Sequence, residues 1–170
     1  MFEAITAWAT IVIAVGTLAS IFFTYRGMQS QARSFAGSVS ADLALKLLRD
    51  FESRSNVELR SRVSNALLKG LRLAEAEDLF DFFEQIGLFV RRDLLDAEIA
   101  YSFFFHWVNL YWVAGRQIIQ QKREGAAGLW VDFEYLYSKL LQIEIKTDPK
   151  SRFINLSPEL IRASLEEEMQ

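Results

Sequence analysis

A segment near the start of the chain strongly constrains what the chain can fold into. Ala4 to Tyr25 is a run of 22 residues without an acidic or basic side chain. An α-helix of that length reaches across the roughly 30 Å of hydrocarbon in a bilayer. The sequence therefore predicts one transmembrane helix at the N-terminus.

A cleaved signal peptide is the alternative interpretation of this segment. Signal peptides begin with basic residues and have a shorter apolar core, whereas this chain begins Met1-Phe2-Glu3, and its first basic residues, Arg26 and Arg33, follow the segment. We therefore expect a single-pass protein of the inner (cytoplasmic) membrane. Because the cytoplasmic flanks of membrane helices are enriched in basic residues, we expect the C-terminal domain to lie in the cytoplasm.

One face of the predicted membrane helix carries mostly small or hydroxyl-bearing side chains. Their spacings of three and four residues place them on one side of a helix. They are Ala7, Thr10, Ala14, Thr17, Ile21 and Thr24. Because membrane helices associate through close packing of small residues, this face predicts contact with another transmembrane helix. An accidental stripe in a segment rich in alanine and threonine is the alternative.

The rest of the chain divides into a short connection and one helical domain. Residues 1–25 form the predicted anchor, and 26–41, with few large apolar side chains, are expected to be a stalk or linker. Residues 42–170 suit one hydrophobic core. Two prolines and eight glycines among 170 residues favour helices. We therefore predict an all-α fold, in which one N-terminal transmembrane helix precedes a cytoplasmic bundle of five or six helices.

Polar residues and a glycine indicate where helices of this domain begin and end. Asn56, Asp96 and Ser157 are expected to be N-caps, and Gly70 is expected to end the second helix. Glu166 to Glu168 lie at the unfavourable end of the dipole of the last helix. We therefore expect that helix to fray at its C-terminus.

The most apolar stretch after the anchor runs from Ile99 to Gly115, 17 residues without a formal charge. A second membrane span is one interpretation, but the stretch is short for crossing a bilayer and has His106 and Asn109 in its middle. We expect a buried helix at the centre of the bundle, because burial on every side requires apolar residues all round. The many aromatic side chains of the domain also predict that some lie at an interface with a partner or the bilayer.

The only histidine, His106, lies inside this apolar stretch. A zinc site there would need carboxylates alone as its other ligands, so we expect a neutral histidine in the core. Asn109 shares its helix face, and Trp112 lies one turn further on. Because ligand pockets combine apolar walls with a few orienting polar groups, these three residues form the candidate ligand pocket of the chain.

The residues predict no reaction. The absence of cysteine excludes disulfides, thiolate zinc sites and a cysteine nucleophile. Asp81 and Glu84 share a helix face, but the Glu-x-x-His motif of di-metal bundles is absent, so we expect a solvated face. Gly125 to Gly128 lacks the GK[ST] ending of a phosphate-binding loop. We predict no catalytic residue, no metal site and no cofactor.

The charge of the chain bears on its partners. Glu3 is the one charged residue that precedes the predicted membrane helix. The chain that follows the helix has 19 basic and 21 acidic residues, a net charge of −2 with both signs interspersed. Nucleic-acid surfaces are basic, so we expect no nucleic-acid partner. The expected partners are membrane lipid and other transmembrane helices. A hetero-complex is favoured over a homo-oligomer, because no sustained heptads follow the anchor to form a self-pairing coiled coil.

The order of these elements resembles a known family. The anchor is followed by a helix over 43–52, the segment Phe82 to Arg91 (FFEQIGLFVR), Tyr111-Trp112, a glycine turn and Phe133 to Leu136 (FEYL). This order resembles the bacterial membrane-anchored helical proteins grouped as domain of unknown function 4760. The resemblance implies a single-span anchor with a cytoplasmic helical domain, and it implies no activity.

These observations predict a non-enzymatic, membrane-anchored interaction protein, an accessory or scaffold subunit of a larger membrane complex. The alternative is a ligand-gated membrane sensor or effector, whose aromatic-lined pocket in the helical domain contains His106, Asn109 and Trp112.

Overall fold

The computed structural model describes residues 37–71 and 74–169. The predicted anchor over 1–25 lies outside the described residues, as does its proposed contact face at Ala7, Thr10, Ala14, Thr17 and Thr24. Within the described ranges, no helix combines the length and the apolarity needed to cross a bilayer. The domain considered below begins at Ser40.

The described residues form an all-α structure. Its six helices are α1 (described over 37–51), α2 (Arg54–Leu68), α3 (Glu75–Arg91), α4 (Ala97–Gly125), α5 (Val131–Thr147) and α6 (Pro158–Glu167). The predicted helical bundle of five or six helices is confirmed.

Two of the predicted N-caps are confirmed. A carboxylate oxygen of Asp96 accepts hydrogen bonds from the backbone N–H groups of Glu98 and Ile99, at 2.8 and 3.1 Å. The Ser157 hydroxyl accepts a hydrogen bond from the backbone N–H of Leu160 at 3.2 Å. Each cap satisfies donors that the first turn of a helix leaves free, so α4 and α6 begin where their local sequence predicts.

The cap predicted for α2 is wrong. Ser53, in extended conformation, is the N-cap residue of this helix, which begins three residues earlier than expected. The Asn56 side-chain amide instead donates to the backbone carbonyl of Asp50 at 2.7 Å. The predicted end is confirmed. Lys69 is the C-cap residue of α2, and Gly70, which follows it, adopts a left-handed conformation with φ of +63°.

The core forms around α4, which contacts α3, α5 and α6. The largest fully buried aromatic side chains come from α1, α3, α4 and α5: Phe51, Phe80, Phe83, Phe104, Tyr111 and Phe133. Of the 17 residues from Ile99 to Gly115, nine are buried, seven are half-buried and Ser102 is exposed. The stretch therefore lies in the core, as expected, but it is not buried on every side.

Most aromatic side chains of the described ranges are buried or half-buried, and the placement of some of them at an interface with a partner or the bilayer stays a prediction. Tyr135, at 36 % exposure, is the one aromatic side chain there that is classed with the exposed large hydrophobic residues. The reason is close packing between rings. On α1, for example, Phe51 stacks on Phe82 at 5.2 Å and meets the edge of Trp107 at 5.0 Å, arrangements that stabilise aromatic cores.

Candidate functional site

The structure separates the three residues of the predicted ligand pocket. Asn109 is buried, and its side-chain amide donates to the backbone carbonyl of Phe153 at 2.6 Å. The His106 ring lies perpendicular to the Phe153 ring, with centroids 5.7 Å apart. Trp112 instead stacks on Tyr137 of α5 at 5.5 Å. Thus His106 and Asn109 share a neighbour in the α5–α6 connection, whereas Trp112 packs on another helix.

The environment of His106 favours its neutral form. Burial lowers the pKa of His106 below its ordinary value of 6.5. The negative charges of Glu168 and Glu167 oppose this shift, and the positive charge of Arg152 adds to it. Because desolvation disfavours a charged imidazole, His106 is a neutral, half-buried side chain at neutral pH.

Two carboxylates of α3 hold the start of α5. Glu84 accepts a hydrogen bond from the backbone N–H of Phe133 at 2.6 Å, and Asp81 accepts one from the Trp130 indole at 2.7 Å. Burial raises the pKa of Glu84, and the hydrogen bond from Phe133 opposes that rise. The solvated face expected for these residues is found at Asp81, which is exposed, but Glu84 is half-buried. The local sequence does not show that α5 begins opposite them.

Two arginines bind the same end of α5. The Arg91 side chain lies against Asp132, with Nε 2.7 Å from one carboxylate oxygen. Arg123 of α4 donates to the backbone carbonyls of Leu129 and Trp130, at 2.8 and 3.0 Å. Trp130 has a φ of +53°, a left-handed conformation that costs a non-glycine residue about 1–2 kcal/mol. The contacts of Arg123 hold the turn in that conformation.

The opposite end of α5 is joined to α4 by a tyrosine and a glutamate. The Tyr101 hydroxyl donates to the carboxylate of Glu144, a buried residue. This hydrogen bond, together with burial, raises the pKa of Tyr101 to about 12. Tyr101 therefore stays protonated and remains a donor throughout the physiological pH range.

A buried polar cluster joins α2, α4 and the residue that follows α6. We call it the Glu168 cluster, and its members are Arg60, Ser64, Trp107, Tyr111 and Glu168. Arg60 Nε lies 2.7 Å from one carboxylate oxygen of Glu168, and the Trp107 indole donates to the other at 2.8 Å. Burial, and secondarily the charge of Glu168, raises the pKa of Tyr111. This cluster thus keeps its hydroxyl protonated.

Sequence reasoning missed the Glu168 cluster, although α2 carries one signal of it. Arg60 lies three residues before Val63 and seven before Leu67, on the apolar face of its helix. A charged residue there requires a partner, but nothing in the local sequence identifies Glu168. The sequence predicts that α6 frays at this end, whereas in the structure Glu168 binds Arg60 of α2 and Trp107 of α4.

Two clefts lie elsewhere on the surface of the described residues. A cleft of about 490 Å³ lies between α1 and α3, with Leu43, Leu47 and Phe89 among its lining residues. A smaller one of about 250 Å³ lies between the end of α2 and α4. Among residues 37–71 and 74–169, no group of three or more His, Asp or Glu side chains is placed to hold a metal ion.

Comparison with known protein families gives a match. A family model described as "Domain of unknown function (DUF4760)" matches residues 10–140. The chain belongs to this family. The DUF4760 match begins inside the uncharged segment and includes α2, α3 and α4, whereas α6 and Glu168 lie beyond it. No curated protein and no solved structure matches the chain.

Proposed function

We propose that this DUF4760 member is a non-enzymatic, membrane-anchored interaction protein, an accessory or scaffold subunit of a larger membrane complex. The observation that carries this proposal is the uncharged segment from Ala4 to Tyr25, with small and hydroxyl side chains along one helical face. A lone membrane span does not require such a face, whereas helix association does. The family match begins within this segment.

Contacts that polar side chains make between helices of the domain also support the proposal. Asp81, Glu84 and Arg123 bind the start of α5, and Glu144 binds Tyr101 of α4. These groups join helices to one another. A domain held in this way is suited to presenting a fixed surface to a partner. On this proposal the domain lies on the cytoplasmic side of the inner membrane.

The proposed partners are membrane lipid and other transmembrane helices, in a hetero-complex rather than a homo-oligomer. The lack of sustained heptads after the anchor supports this choice. The net charge of the remaining chain, −2 after Glu3 is removed, does not suit a nucleic acid.

The ligand-gated sensor stays a prediction, and the geometry supports it less well. The Asn109 amide already donates to the carbonyl of Phe153, and Trp112 packs on Tyr137 of α5. A ligand bound by these residues would first have to break those contacts.

The proposal is tested by enlarging the small-residue face. Ala14→Leu combined with Thr17→Leu should reduce the size of the particle extracted from native membranes in gentle detergent, because bulky side chains prevent close helix approach. The matched control is Val12→Leu combined with Ala19→Leu, which changes the opposite side of the same predicted helix. An unchanged particle in the first variant, or an equal loss in both, would contradict the proposal. Circular dichroism of each variant checks that the helical domain stays folded.

A further inference from the structure

The last helix is attached to the domain through few buried residues. Ser164 and Leu165 are the buried residues of α6, and Leu165 is only 2 % exposed. By contrast, α3 buries seven residues. Elements with little buried apolar surface open at the lowest free energies. We therefore expect α6 to detach before the rest of the domain unfolds.

One carboxylate provides the main polar attachment of α6. Glu168 lies directly after the helix, and its side chain is 13 % exposed, while that of Arg60 is 10 % exposed. The carboxylate binds Arg60 Nε and the Trp107 indole, and the Tyr111 hydroxyl lies 3.5 Å away. A charge buried this far depends strongly on its partners. Removing the negative charge therefore leaves Arg60 without its counter-ion.

The residues that receive Glu168 are positioned by groups outside α6. The guanidinium of Arg60 lies 4.1 Å from the centroid of the Phe51 ring and donates to the Phe51 backbone carbonyl. The Tyr111 hydroxyl lies 3.0 Å from the Ser64 hydroxyl, with which it shares a hydrogen bond. The donors thus stay in place when α6 leaves, and a preorganised site binds with less ordering cost.

We propose that the groove between α2 and α4 is a receptor for an amphipathic helix that presents a leucine three residues before a glutamate. In this structure α6 is its exchangeable occupant, through Leu165 and Glu168. A helix of the same pattern on another subunit displaces α6 and binds Arg60 and Trp107 in its place. The inference deepens the proposed interaction function and rests on it. The family match contains the groove residues and ends before α6.

Hydrogen exchange on the full chain in detergent tests whether Glu168 holds α6. In Glu168→Gln, the amides of α6 should exchange about tenfold faster or more, while those of α3 and α5 keep their protection. Glu166→Gln is the matched control, because Glu166 lies on the same helix in an exposed ion pair with Arg162. Equal exchange of α6 in both variants, or faster exchange throughout the domain in Glu168→Gln, would overturn the proposal.

A peptide with the sequence of residues 155–169 tests the receptor directly. The fluorescein-labelled peptide should bind the full-length Glu168→Gln chain, and fluorescence anisotropy reports the binding. A peptide with glutamine in place of its own Glu168 should bind about tenfold more weakly, because it lacks the carboxylate that Arg60 accepts as counter-ion. Equal binding of the two peptides would overturn the proposal. So would no binding of either at roughly 1 mM, the effective concentration of a tethered segment.

Both measurements use the isolated chain and need no partner. If neither measurement gives the expected result, the proposal that α6 is an exchangeable helix is refuted. The proposed function is then still tested separately, by the size of the particle extracted from native membranes. A monomeric particle in native membranes would remove the proposed function while the exchange behaviour of α6 still stood.

Discussion

The backbone carbonyl of Asp132 packs directly on Gly87. A Cβ atom at position 87 would lie 2.0 Å from that carbonyl oxygen and 2.5 Å from its carbon. Only the hydrogen of a glycine fits, so α5 begins against α3 at a distance that no other residue permits. The bonds of Glu84 to Phe133 and of Arg91 to Asp132 lie on either side of this contact.

Gly87→Ala should lower the free energy of unfolding by about 3 kcal/mol or more, because the added methyl forces the backbones of α3 and α5 apart. Equilibrium urea unfolding of the full chain in mild detergent measures this. Gly125→Ala is the control, since a Cβ there meets nothing within 4 Å and should change stability by at most about 1 kcal/mol. A Gly87→Ala variant as stable as the wild type would contradict the close contact.

Glu84→Ala should cost about 1 kcal/mol, because it leaves the backbone N–H of Phe133 without its acceptor at the start of α5. Asp78→Ala, at an exposed position on the same helix, should stay within about 0.5 kcal/mol of the wild type. The two unfolding free energies are compared in the same urea titration. Equal losses in the two variants would mean that Glu84 acts only through the charge of α3.

Arg123→Lys should cost about 1–2 kcal/mol, although it keeps the positive charge. A lysine ammonium cannot reproduce the fork that binds the carbonyls of Leu129 and Trp130 together with the Glu134 carboxylate. Arg116→Lys, at an exposed position of α4, should change stability by less than about 0.5 kcal/mol. Equal stability of the two lysine variants would show that the fork does not hold the turn.

The stability of the domain should fall as the pH drops below 6.5. Burial lowers the pKa of His106 in the folded state, so the unfolded state takes up the proton first and unfolding is favoured. The stability that the neutral His106 gives the domain is fully present above pH 6.5 and is lost as the pH falls toward the lowered pKa of His106. Glu84 has the opposite effect on stability. Burial raises its pKa above 4.5, so the folded state takes up this proton first and Glu84 favours folding as the pH falls toward 4.5. This effect is common to the wild type and the His106 variant.

His106→Phe should flatten this pH dependence, because phenylalanine keeps an aromatic ring against Phe153 but binds no proton. Thermal unfolding of both chains between pH 5 and 7.5, followed by circular dichroism, makes the comparison. The melting temperature of the variant should rise relative to the wild type as the pH falls. Parallel curves for the two chains would contradict a lowered pKa at His106.

The features predicted from the sequence are those that depend on neighbouring residues. Asp96 and Ser157 cap their helices through N–H groups two or three residues away, and the apolar stretch of α4 specifies its own burial. Such signals are local. They therefore define the helices of an all-α domain before any packing is known.

The features that the sequence does not predict depend on long separations. Arg60 and Glu168 are 108 positions apart, and Trp130 and Asp81 are 49 apart. The position of Arg60 on an apolar face shows that it needs a partner, but the local sequence identifies no partner for any of these side chains. Only the packing of the helices brings the partners together. For the same reason, spacing along α4 placed Trp112 beside His106 and Asn109, whereas the fold directs it toward α5.

The mass of the particle extracted from native membranes tests the central claim most directly. We propose that the chain is anchored by the segment from Ala4 to Tyr25 and packs against other membrane helices. Extraction in gentle detergent, followed by determination of the protein mass in the particle, should therefore find this 19.6 kDa chain in the membrane fraction, within a particle heavier than one copy. Recovery as a monodisperse monomer, or in the soluble fraction, would contradict the account.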